Sequence, residues 1–274
     1  MHFYTYDFAG LKTHAREAGL RFNRPWQKEL VVDEKSCPFC KPDNGHRVLL
    51  KDDEIRWYVI ENKFPASPVH YMALPEKCWS SDRLRILGGV KEIENALDLL
   101  LKVIGGQYFR VPMHIATNIG TMAGQTQPHL HYHLAQYPLI KTEFRNTKEK
   151  LLKLYSQRYK DLILRDNEMV IGVGGARAGQ CFIIPRDDEF GSLPTVLSQA
   201  ISWLIELYSR KFKSTEGLTP EFSICLYFRE GFSYGVFVPV LANHGAATDA
   251  MCLQEGWPIV LPWPHELTAE YLKS

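Results

Sequence analysis

The run His129-Leu130-His131-Tyr132-His133 sets three imidazoles on alternate residues. On an extended strand successive side chains point to opposite faces, so the three rings share one face and Leu130, Tyr132 and Leu134 share the other. With 10 histidines in 274 residues, composition alone yields such a triplet in roughly one chain in a hundred. Two chemistries suit it. A neutral imidazole is a good nucleophile near neutral pH when an acceptor holds the proton on its other nitrogen. Three imidazoles in register can instead build a structural metal site. The segment leading into the triplet, residues 118–128, carries flexible glycines, free backbone N–H groups and a hydroxyl, which suit an anionic phosphate. That neighbourhood favours His131, the middle ring, as a nucleophile toward phosphorus.

A second cluster is Cys37-Pro38-Phe39-Cys40, two of six cysteines. The N-terminus lacks the cationic start and apolar stretch of a signal peptide, and no apolar run is long enough for a membrane span. We therefore expect a cytoplasmic protein, in which the pair is a metal or redox site rather than part of a disulfide framework. Cys181, Cys225 and Cys252 lack ligand spacing and read as core. The formal charge of +1, from 32 basic and 31 acidic residues, offers no electrostatic footprint for nucleic acid or an acidic membrane surface. A small phosphorylated ligand needs only local donors.

The elements that must position these residues follow from periodicity. Residues 55–60 (IRWYVI) and 69–74 (VHYMAL) predict strands joined by a proline-punctuated connection. Apolar residues recur at helical spacing from Asp82 to about Ile104, with Ser80, Ser81 or Asp82 as N-cap and Gly105-Gly106 as the stop. Residues 113–117 and 130–135 predict two further strands. The second half repeats the order. Residues 179–185 resemble 69–75, residues 192–212 fall on 82–102, and residues 222–227 fall on 112–117, all at an offset of 110. One constant offset argues for a duplicated α+β unit, against coincidence between two generic strand-helix-strand patterns. Residues 236–240 stand in place of the histidine strand, so the second copy is expected to be catalytically silent.

Gly124-Gln125-Thr126 followed by the histidine triplet resembles the histidine-triad (HIT) superfamily, whose pattern is a Gly-Gln-Ser/Thr step before three alternating histidines. Asn62 followed eight residues later by His70 is a second match. The cysteine pair and the two-copy layout are similar to the branch of galactose-1-phosphate uridylyltransferase and related nucleotide phosphorylases. The resemblance is strong over about residues 24–140 and weaker beyond. It implies an α+β fold of two tandem HIT-like repeats around an antiparallel sheet, the second degenerate, dividing at 1–145 and 146–274.

The resemblance also implies roles. His131 would attack the α-phosphorus of a nucleoside phosphate, its other nitrogen held by a backbone carbonyl of its own strand, and form a nucleotidyl-histidine. His133, Thr126 and Gln125 match the positions that hold phosphate oxygens. Asn118 matches the phosphate-side amide and Asn62 the ribose-side position, each against the plain alternative of a turn residue capping its own backbone. His70 either orients its neighbours or is an ordinary strand histidine. A structural zinc is implied on Cys37, Cys40, Cys78 and His129, with a cysteine at 78 where the family usually has histidine. His46 is a lower-ranked ligand, and a metal-free reduced pair with Cys78 buried is the alternative. The third histidine, His133, departs from the transferases and phosphorylases, which usually carry glutamine there, and follows the hydrolase branches. The expected activity is thus a nucleotide hydrolase or nucleotidyltransferase, with sugar-phosphate transfer or phosphorolysis as an alternative and a non-catalytic nucleotide sensor as another. The partner expected is a nucleotide or nucleotide sugar, with no nucleic acid and no membrane, and a homodimer is left open.

Overall fold

The computed structural model describes residues 34–35, 37–40, 46–63, 65, 69–78, 89–105, 113–120, 123–125, 127–136, 152–153, 156–157, 160–174, 179–187, 191–212, 220–229, 232–240, 269–270 and 272–274. In chain order these form β1 (Val48–Asp52), β2 (Trp57–Glu61), β3 (Val69–Pro75), α1 (Val90–Ile104), β4 (Met113–Ile119) and β5 (Tyr132–Gln136). Then come β6 (Ile163–Asp166), β7 (Met169–Val173), β8 (Cys181–Pro185), α2 (Leu193–Lys211), β9 (Phe222–Arg229) and β10 (Phe232–Pro239).

The ten strands make one antiparallel sheet in the order β1-β2-β3-β5-β4-β9-β10-β8-β7-β6. Read from each edge inward, the order is β1-β2-β3-β5-β4 on one side and β6-β7-β8-β10-β9 on the other. The two halves therefore repeat one topology and meet where β4 pairs with β9, from Met113↔Phe228 to Ile119↔Phe222. Strands β3 and β8 end 110 residues apart, at Pro75 and Pro185, and α2 has Ser192 and Phe212 as its capping residues, the bounds read from the sequence; α1, at Val90–Ile104, does not keep that offset from α2.

Helices cover one face. Trp57, Val59, Ala73, Ile115, Tyr132 and Leu134 point into the core shared with Ile93, Leu97, Leu100, Leu197, Ile201 and Leu204 of α1 and α2. The helices themselves are joined by Thr195 Oγ1 donating to Glu94 Oε1 at 2.7 Å. The opposite face buries a smaller set, Tyr58, Ile60, Met72 and Leu74, against Cys37, Phe39 and Cys78. Strand β2 is apolar at every position from Trp57 to Ile60 because both its faces are covered.

Helix α1 begins later than the periodicity suggests. Its N-cap is Gly89 in the left-handed region, φ 37°, and its stop is Gly105, φ 61°; the expected caps Ser80 to Asp82 lie outside the described residues, as does Thr126. A backbone turn that glycine alone adopts readily interrupts the chain ahead of Val90, and apolar spacing carries no record of it. Among the described residues no helix is long and apolar enough to cross a membrane.

Candidate active site and metal centre

The histidine strand sits between β3 and β4, with His133 opposite Met72 on one side and Ala116 on the other. Leu130, Tyr132 and Leu134 enter the helix-side core, so the imidazoles emerge on the face away from the helices. His131 and His133 meet edge to face, ring centroids 4.9 Å apart.

The ring of His131 is oriented from within its own chain: Nδ1 lies 2.7 Å from the carbonyl oxygen of His129. A carbonyl only accepts, so Nδ1 carries the proton and the lone pair of the neutral ring is on Nε2. The backbone of His131 is tied in turn, because Thr117 Oγ1 donates to the His131 carbonyl at 2.7 Å, a buried bond. His133 is engaged elsewhere. Its Nδ1 lies 3.0 Å from Nε2 of His70, which is itself 3.0 Å from the side-chain nitrogen of Asn62. Asn62 donates its amide hydrogen to the His70 ring, and one hydrogen is shared between His70 Nε2 and His133 Nδ1. Asn62, His70 and His133 thus form one hydrogen-bonded chain ending beside His131.

Asn118 lies near the end of β4, and Gln125 lies in the segment that follows it. Gly120 N donates to Gln125 Oε1 at 2.7 Å, and Gln125 Nε2 donates to the Gln127 carbonyl at 2.7 Å. In these bonds the Gln125 side chain shapes the loop. Gly120 is required there, since its φ is +100° and a Cβ would fall 2.1 Å from the side chain of Glu221. Asn118 Oδ1 accepts from Ser223 Oγ on β9 at 2.8 Å.

His129 turns away from His131. Its Nδ1 is 3.4 Å from Cys37 Sγ and 3.6 Å from Cys40 Sγ, and its Nε2 lies 3.0 Å from the Pro75 carbonyl. The ligand atoms of Cys37, Cys40, Cys78 and His129 all lie within 4.8 Å of one another. Tetrahedral zinc with Zn–S of about 2.3 Å and Zn–N of about 2.0–2.1 Å sets S···N edges of about 3.5 Å. The distances from His129 Nδ1 to Cys37 Sγ and Cys40 Sγ match that edge, and His46 is not in the group. Burial pushes the Cys40 thiol up to about 11 and raises Cys78 further, with the neighbouring sulfurs adding to the rise at Cys78. Gathering sulfur atoms in a buried site disfavours thiolates unless a cation compensates them. Burial also lowers His129 to about 4, which keeps the ring neutral and able to ligate. The group could hold a metal ion, and its donor set suits zinc.

Three contributors escaped the sequence reading. Phe39, inside the cysteine pair, packs its ring 5.8 Å from that of His129 and 5.6 Å from that of His131. Tyr58 pins it by donating to the Phe39 carbonyl. Thr117 and Ser223 are the others, visible only once strand registers are known. The aromatic residue between the two cysteines was the one signal available.

Comparison with solved structures decides the fold. An ADP-glucose phosphorylase from Arabidopsis thaliana, with bound ADP-glucose, superposes with a TM-score of 0.62 at 15% identity, covering 93% of this chain and 92% of that one. A uridylyltransferase gives 0.57 at 16% identity, over 92% and 91%. The yeast Ap4A phosphorylase in complex with AMP gives 0.52 at 17% identity, over 84% and 73%. The chain has the two-repeat histidine-triad fold. No protein-family model matches the sequence, and no curated relative does either.

Within that fold the second repeat lacks the triad. Met72 pairs with His133 and Phe182 with Val236, and Met72 and Phe182 are 110 residues apart. Val236 therefore stands where His133 does, and Tyr234, two residues earlier, stands where His131 does.

Proposed function

We propose that the chain is a nucleotidyl-transfer enzyme acting on a nucleoside 5′-phosphoryl bond through a covalent nucleotidyl-histidine at His131. The observation that carries this reading is the 2.7 Å contact from His131 Nδ1 to the His129 carbonyl, which puts the lone pair on Nε2. In the first step Nε2 attacks the α-phosphorus. A P–N bond forms, the bond to the leaving oxygen breaks, and that oxygen departs with the electron pair. In the second step an acceptor oxygen attacks phosphorus and the P–N electrons return to Nε2. His133 meets His70 through its Nδ1, and its Nε2 is assigned to take a proton and present it to a phosphate or leaving oxygen. Asn118 and Thr126 are assigned to the phosphate oxygens, Asn62 to the ribose side, and Gln125 to keeping the 120–127 loop in shape beside the phosphate. Each donor poised where charge develops contributes a factor of about 10²–10³.

Cys37, Cys40, Cys78 and His129 would hold a structural zinc. With four protein ligands it leaves no position for water, and its contribution is to anchor the start of the histidine strand. The catalytic repeat is assigned to residues 1–145 and the silent one to 146–274.

The acceptor is the open choice within this reading. His133 favours water, as in the hydrolases; the phosphorylases and uridylyltransferase that share the fold favour phosphate or a sugar phosphate. The test is trapping. Incubation with labelled ADP-glucose, UDP-glucose or a dinucleoside tetraphosphate, followed by quenching, is expected to leave acid-labile label on the protein. His131→Asn and His131→Gly are expected to carry none. Binding of nucleotide without label in the wild type overturns the reading and leaves a sensor. Phosphorus NMR of the products then separates hydrolysis from transfer.

A further inference from the structure

Ser223 is a point at which the second repeat meets the site. Asn118 on β4 and Ser223 on β9 are direct cross-strand partners at the seam between the two repeats. Ser223 is fully buried, and its hydroxyl donates to Asn118 Oδ1 at 2.8 Å; a second acceptor, the Ala123 carbonyl, lies farther away at 3.3 Å. A planar amide with its oxygen drawn toward β9 has its nitrogen on the other branch. The neighbour of β4 on that other side is β5, the histidine strand. Among the described residues no partner takes a hydrogen bond from Asn118 Nδ2. The reverse amide orientation would turn a carbonyl oxygen, with two lone pairs, toward an anionic phosphate.

We propose that Ser223 is a positioning residue: by holding the oxygen of Asn118 it turns the amide N–H groups toward the phosphoryl group that His131 attacks. The inference rests on the proposed function, and it makes the second repeat a necessary part of the site rather than only the other half of the sheet. Without the hydroxyl, the Asn118 amide rotates between two orientations, one of them repulsive to phosphate. The loss is therefore smaller than that of a whole donor, which is about 10²–10³-fold.

The experiment pairs two readouts on the full chain: the rate of label transfer to His131 and the affinity for AMP by calorimetry. Ser223→Ala is expected to slow labelling about ten- to hundredfold and to weaken AMP binding several-fold, and Ser223→Thr, which keeps the hydroxyl, to restore both. Asn118→Ala combined with Ser223→Ala is expected to be no slower than Asn118→Ala alone, since Ser223 acts through Asn118. Should Ser223→Ala fail to fold, Ser223→Cys, a weak donor of similar size, replaces it. Wild-type rates and affinity in Ser223→Ala, or losses that multiply in the double variant, overturn the inference. If the wild type binds AMP but takes no label, the proposed function fails while AMP affinity in the same four variants still decides the role of Ser223. If the wild type neither labels nor binds AMP, both are overturned.

Discussion

Replacing Thr117 by valine removes one hydroxyl from beneath His131, the proposed nucleophile, and leaves the shape of the side chain almost unchanged. Thr117 is 2% exposed and its hydroxyl donates at 2.7 Å to the His131 carbonyl. Valine removes that buried hydrogen bond, a loss of about 0.5–1.5 kcal/mol. At about 2–4 °C per kcal/mol, the melting temperature should fall by roughly 1–6 °C. The effect on chemistry is separable. Regular strand β5 begins only at Tyr132, so this bond is one of the ties on His131, which under the proposed function attacks in line, and a misplacement of about 1 Å can lower the rate about a hundredfold. Thr117→Ser is the control, since it keeps the donor and loses a methyl from the core, at about 1 kcal/mol. The assays are thermal melting and the rate of label transfer to His131. Valine should lower both; serine should lower only the melting temperature. A valine variant that melts within 1 °C of wild type and labels at the wild-type rate would refute the reasoning, because the bond would then be dispensable to fold and nucleophile alike.

Other outcomes follow from the same geometry. Elemental analysis should find one zinc per chain in the wild type and in Cys78→His, and none held firmly in Cys78→Ala, because the cage needs four donors. Gly120→Ala should destabilise by about 1 kcal/mol or more on melting, and Glu221→Ala should relieve only part of the loss, since removing the clash leaves the φ of +100° unchanged. His114, 8% exposed on β4 beside Tyr227, is lowered to about 4 by burial. Its unfolded form protonates below about 6.5 while its folded form stays neutral, so the native state binds fewer protons between those values. Stability is therefore full above pH 6.5 and falls as pH drops toward 4, by about 3 kcal/mol at most; a His114→Gln variant should show a flatter melting profile over that window.

The two kinds of information divide along the chain's own grammar. Periods of two and 3.6 residues are local, so the strands around Trp57, Val69, Met113 and Tyr132 and the helix after Ser192 can be read directly. The alternation of His129, His131 and His133 with Leu130, Tyr132 and Leu134 likewise assigns each set to a face, and the burial of the apolar set agrees. Helix α1 shows the limit: its start depends on the left-handed turn at Gly89, which apolar spacing does not encode. Gln125 shows another, since the bonds of its amide to Gly120 and Gln127 depend on how the loop closes.

The amino-acid sequence by itself determined which atoms are available for chemistry: three imidazoles on alternate residues, a set of three thiols beside one of them, and a second copy of the unit without the triplet. It also determined the faces, because side-chain direction along a strand is a property of consecutive residues. Only the tertiary structure decided the partners. That His129 faces the sulfurs while His131 faces its own backbone, that His70 hands its nitrogen to His133, and that Ser223 meets Asn118 across the seam are matters of register between strands far apart in the chain. Register is fixed by the sum of core packing over a whole sheet, and a slip of one residue would reverse every face at once, so no short segment carries the information alone.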